Sequence, residues 1–127
     1  MDNLNYNEQD RSLAKALTNQ LIDTYFSDRE SWLRAILRMC IFSVTHLEGQ
    51  AALLIECPNQ AVAKRLSRKT HYLLSFAEHF THSPHSARLL LCYCDRAGVW
   101  QAYDSKTQAW IFLKNLDPFT ARADGLS

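Results

Sequence analysis

Glycine and proline are scarce here, three of each in 127 residues. That excludes collagen-like and low-complexity chains, which are built on those residues. Long apolar runs are also missing: none approaches the roughly 20 residues that a bilayer span needs. Residues 1–8 are polar and acidic and lack the basic-then-apolar order of a secretion signal, so a cytoplasmic protein without membrane association is expected. No cysteine pair has CxxC spacing. Of the four, Cys40, Cys57, Cys92 and Cys94, three lie in apolar runs and read as buried thiols, and a disulfide framework is not expected. An excess of one charge is lacking too. Fourteen Lys and Arg stand against 13 Asp and Glu, which excludes a histone-like protein.

What is present is apolar material for a core, 47% of the residues. A chain this long buries roughly two-thirds of its unfolded surface on folding, and one domain over residues 1–127 is expected. The charge is unevenly placed. Residues 1–30 hold six acids and three bases, whereas residues 60–127 hold nine bases and five acids.

Apolar periodicity orders the chain. Leu13, Leu17, Leu21 and Tyr25 recur every fourth residue, with Ala14, Ile22 and Phe26 widening the stripe, which predicts a helix from about Asn7. Ser27, Asp28, Arg29 and Glu30 make a capping-box pattern that ends it and starts a second helix. Leu33, Ile36, Leu37 and Cys40 supply the second helix's apolar face, and Trp32 lies at its edge. Residues 42–47 and 51–57 read as a β-hairpin around Glu48, Gly49 and Gln50. Asn59 is a good N-cap for a third, long helix over about 60–80. Residues 88–94 are apolar on both faces and read as a central strand. Residues 99–104 and 109–114 read as a closing hairpin across which Trp100 and Trp110 could pair, and the last dozen residues trail. The order α-α-β-β-α-β, then β-β, makes an α+β two-layer fold with helices on one face of a mixed sheet.

Lys64, Arg65, Arg68, Lys69 and His71 place several cations within two helical turns, with no acid nearby. Phosphates are neutralised by such clusters, and the adjacent Tyr72 is suited to stacking on a base. The Gly-x-x-Gly loop with which KH domains clamp nucleotides is absent. His79, His82 and His85 recur every third residue, but Pro84 interrupts them and the spacing matches no zinc signature. No metal or cofactor is expected. Neither a Gly-x-Ser-x-Gly elbow nor a phosphate loop occurs. Glu48 and Glu56 read as isolated, solvated carboxylates. An enzyme is therefore not expected.

Residues 9–94 resemble the N-terminal domain of the bacterial replication initiator DnaA. The resemblance lies in two helices with Trp32 and Leu33 in the second, then a strand and turn. Residues 52–59 follow as a strand closed by Pro58 and Asn59, and then a long helix with Val62, Leu66 and a basic centre. The order of these pieces carries it. It implies a KH-like α-α-β-β-α-β core, here with an added hairpin over residues 99–114 and a tail over 115–127. It also implies a protein-interaction module: the family's domain self-associates and contacts the replicative helicase and regulatory factors. The contact surface would be Tyr25, Asp28, Trp32 and Ala61. This sequence departs from the family in several ways, and the recognition helix of the initiator's DNA-binding domain is missing. No Walker A motif or ATPase module follows. The family's partner-contacting aromatic after Pro-Asn is Ala61, and the tryptophan early in its first helix has no counterpart. A stand-alone adaptor in DNA replication or its regulation is expected. The alternatives are a small nucleic-acid-binding protein using the basic third helix, and a structural subunit that dimerises through the last hairpin.

Overall fold

A computed structural model describes residues 15–26, 31–82 and 87–112. They form four helices and five strands, a mixed α+β arrangement. The chain divides into two compact units, Met1–Met39 and Cys40–Ser127.

The first unit holds α1 (15–25) and α2 (Ser31–Arg38). Lys15 Nζ donates to the Arg38 carbonyl at 2.7 Å, and Arg34 donates to the Phe26 carbonyl at 2.9 Å. Start meets end and end meets start, as in an antiparallel helix pair. Arg38 also pairs with Asp23. Its hydrogen bond, and then its charge, hold the Asp23 carboxyl below its ordinary range. The buried stripe of α1 differs from expectation. Thr18, Ile22 and Phe26 are buried, whereas Leu17 and Tyr25 are exposed. The inward face is turned by one residue, about 100°, which keeps the larger apolar pair inside and leaves the tyrosine ring at the surface, edge-on to Phe26. On α2, Leu33 and Leu37 are fully buried and Ile36 and Trp32 half-buried. The capping box at residues 27–30 lies outside the described residues.

The second unit is a five-stranded sheet: β1 (Ile41–Leu47), β2 (Gln50–Glu56), β3 (Arg88–Cys94), β4 (Trp100–Asp104) and β5 (Ala109–Phe112). Spatial order follows chain order, with β2 and β3 parallel and every other pair antiparallel. Glu48 and Gly49 join β1 to β2 with φ of 53° and 78°. Two left-handed residues in a two-residue loop match the right-handed strand twist. β3 is the middle strand, and its first six residues are buried. The closing hairpin joins the main sheet through β4.

Two helices, α3 (Gln60–Ser67) and α4 (Thr70–Thr81), make the crossover from β2 to β3. Asn59 caps α3 as expected, its side chain accepting from the Val62 N–H at 2.9 Å. The single helix expected over 60–80 is broken at Arg68 and Lys69. Three features accompany the break. Lys64 and Arg68, and Arg65 and Lys69, are like charges at i,i+4, each costing about 0.2–0.5 kcal/mol in a continuous helix. Ser67 Oγ donates to the Lys64 carbonyl at 2.7 Å. Arg68 and Lys69 bond back only three residues, to Arg65 and Leu66, which tightens the last turn.

α3 packs on β3, and α4 on both β2 and β3. Phe76 and Phe80 of α4 meet Phe42 of β1 at ring separations of 6.0 and 6.1 Å. α4 therefore lies over the face shared by Phe42, Leu53, Ile55, Leu89 and Leu91. Burying each such side chain stabilises by about 1.5–3 kcal/mol. The opposite face holds a second apolar cluster of Ala52, Leu54, Leu90, Cys92 and Ala102, against which Trp100 packs. Trp110 stands on the other face, opposite Tyr103, with its ring against Tyr103 and Tyr93 at 5.5 and 5.8 Å. A pairing of Trp100 with Trp110 does not occur, because the register puts the two on opposite faces. Trp110, Ile111 and Phe112 are exposed on β5, so this hairpin is not wholly core.

One end of the sheet carries an ion network. The buried Arg88 guanidinium grips the buried Asp104 carboxylate through two hydrogen bonds and reaches Glu48 Oε1 at 3.1 Å. Glu48 is thus tied to β3 and is not an isolated carboxylate. Glu56 is buried, not solvated. Burial pushes the Asp104 pKa up, but the Arg88 hydrogen bonds, the Lys106 N–H and both cations outweigh it and leave the group below its ordinary range.

Candidate functional site

The break in the crossover gathers cations at a corner. α3 ends in Lys64 and Arg65, Arg68 is its C-cap, and Lys69 begins α4. Lys64, Arg65 and Arg68 are exposed and Lys69 is half-buried. No acidic residue occurs between Cys57 and Ala77 in the sequence. The helix dipoles act differently on the two sides. The cations of α3 sit at a negative helix end, where each contributes about 0.3–1 kcal/mol. The positive start of α4 has no acid in its first turn and no side-chain cap. The segment from Lys64 to His71 is therefore rich in positive charge.

An aromatic pair stands beside it. His71, exposed in the first turn of α4, lies with its ring 4.1 Å from that of the half-buried Tyr72, tilted by 40°. Lys69 Nζ also lies over the Tyr72 ring, 5.6 Å from its centre. Tyr72, singled out in the sequence as a stacking residue, already carries two neighbours on its ring. His71 is the more exposed of the two rings. The five residues of the basic set, Lys64, Arg65, Arg68, Lys69 and His71, lie between the last turn of α3 and the first turn of α4 in the second unit.

The protein-binding set is divided between the two units. Tyr25 is exposed and Trp32 half-buried in the first unit, whereas Ala61 is exposed on the first turn of α3 in the second. Asp28 lies outside the described residues. Ala61 lines a cleft of about 670 Å³ formed by residues 58–61, 93–97 and 101. The cleft opens at the carboxyl ends of the parallel strands β2 and β3, a common location for ligand sites in α/β sheets. Asp95 shapes its rim, accepting from the Ala97 and Val99 N–H groups at 2.9 and 3.0 Å and from Gln101 Nε2 at 2.8 Å. The Val99 N–H and the Gln101 amide lead in lowering its pKa. Strand-end packing of this kind leaves no signal in the sequence beyond the turn at Asp95 and Gly98.

The remaining candidates separate. His71 and His79 lie at opposite ends of α4, about 12 Å apart along its axis. His82 is the left-handed cap, with φ of 55°, and His85 is outside the described residues. Among the described residues no three His, Cys, Asp or Glu side chains group as metal ligands. Cys57 hydrogen-bonds Cys40 across β1 and β2, and that bond with burial raises its pKa, while burial raises that of Cys92. Those two thiols stay protonated, and Cys94 is exposed on the cleft wall. No described helix is long and apolar enough to cross a membrane. No family model matches the chain, and neither a curated protein nor a solved structure matches it.

Proposed function

We propose that the chain is a binding module whose second unit holds the phosphate backbone of a nucleic acid at the α3–α4 corner. One observation carries this reading: Lys64, Arg65, Arg68, Lys69 and His71 run from the last turn of α3 through the helix break to the first turn of α4, whose start has no side-chain cap. Clustered cations bind polyanions by releasing condensed counterions, so affinity depends on salt. Four phosphate contacts on a single strand give a log–log salt slope of about −3. The measurement is fluorescence anisotropy with a labelled oligonucleotide across a salt series. Lys64→Ala with Arg68→Ala should weaken binding to all sequences alike and flatten the slope by about 1.4. A salt-independent affinity, or a double variant that binds as wild type, overturns the reading.

A second reading is a protein-interaction adaptor in replication or its regulation. Two observations favour it. The element order of residues 15–94, two helices, a hairpin, a helical crossover in two pieces and a strand, is compatible with the order implied by the resemblance to the initiator's N-terminal domain. Ala61 also lines a concave surface suited to a protruding side chain of a protein partner. A replicative helicase or another replication factor retained after nuclease treatment, and lost with Ala61→Arg, is the expected result on this reading. Partners that vanish with nuclease return the assignment to nucleic acid.

A further inference from the structure

We infer that the corner takes single-stranded nucleic acid, with the exposed His71 ring as the platform on which a base stacks; this rests on the polyanion reading above and deepens it. Cations alone do not distinguish single strands from duplexes or from acidic peptides. The ring pair does. His71 is backed by Tyr72 at 4.1 Å, which holds the imidazole in place, and is itself exposed. Tyr72 is half-buried and carries Lys69 over its ring, so it supports His71 instead of receiving the base. Arg68 and Lys69 lie three and two residues before this ring in the chain, at the turn between the helices. A nucleotide presents the same two chemistries side by side, a phosphate and a flat π-face. Histidine rings are among the side chains on which unstacked bases pack. A duplex keeps its bases stacked inside and offers an exposed ring nothing to stack on. An acidic peptide would satisfy the cations and leave the ring unused.

The test uses the full chain and four probes of equal charge at one low salt concentration: a single-stranded DNA oligomer, the same oligomer without bases, a DNA duplex, and polyglutamate. The base-bearing single strand is expected to bind tightest, and His71→Ala to weaken it roughly tenfold. Binding of the base-free strand should be unchanged by that substitution, and His71→Phe should restore affinity for the base-bearing strand. If His71→Ala has no effect, or if the duplex or polyglutamate binds as tightly as the base-bearing strand, the inference is overturned. Equal binding of the base-free and base-bearing strands overturns the stacking inference and leaves the polyanion reading standing. If none of the four probes binds, the polyanion reading itself falls.

Discussion

At the scale of single residues, the side chains with the most at stake are the buried ionic ones. Arg88 and Asp104 are both nearly inaccessible and satisfy each other through two hydrogen bonds. Removing one partner leaves an uncompensated buried charge, so Arg88→Met should cost about 3–5 kcal/mol in a denaturant titration. The acid limb of stability follows from the same pair. The pKa of Asp104 is lower in the folded chain than its ordinary 3.8. Its contribution is complete above about that pH and is lost as pH falls through the depressed folded value. Thermal unfolding measured below pH 4 should therefore fall more steeply for wild type than for a variant lacking this carboxylate. The thiols give a second check. The native protein should react with a thiol reagent at Cys94 alone, and at all four cysteines after denaturation. Rapid modification of Cys57 or Cys92 in the native state would contradict their burial. Neither the ion pair nor the thiol pair was legible beforehand. Both depend on strand register, which brings residues 88 and 104, and 40 and 57, together.

At the scale of elements, turns and caps were legible because their chemistry is local. Gly49 follows the left-handed Glu48 at φ of 78°, and a Cβ placed there meets nothing within 4 Å. The cost of Gly49→Ala is thus conformational only, about 1 kcal/mol, and should appear as a lowered unfolding midpoint with an unchanged denaturant slope. Asn59→Ala, which removes the α3 cap, should cost about as much. The strands were legible for a related reason: Leu89, Leu90 and Leu91 announce a strand buried on both sides. The division of the third helix was not. No glycine or proline marks it, and the apolar positions Ala63, Leu66, Leu73 and Ala77 also suit an unbroken helix. Only the two i,i+4 cation pairs and the hydroxyls of Ser67 and Thr70 argue against continuity, and their weight depends on packing that a sequence does not display.

At the scale of the whole molecule, the class of fold could be read from the order of patterned segments, but the assignment of faces could not. A shift of one residue moves a side chain to the other face of a strand or a third of the way around a helix. Trp100 and Trp110 therefore separated, and the stripe of α1 turned from Leu17 and Tyr25 to Ile22 and Phe26. The candidate residues divide in the same way. The basic set is contiguous in the chain and spans the α3–α4 break. Tyr25 and Trp32 belong to the first unit and Ala61 to the second.

The parallel pairing of β2 with β3 also bears on how the chain reaches its native state. Ala52 pairs with Arg88, 36 residues further on, whereas the β1–β2 and β4–β5 hairpins close over a few residues. Hairpins of that kind form in microseconds, but the entropy of closing the long crossover must be met before its contacts repay it. The central contact of the sheet is accordingly its slow one. Because α3 and α4 pack against the strands that this contact joins, a chain with both hairpins formed still lacks the surface on which the two crossover helices rest.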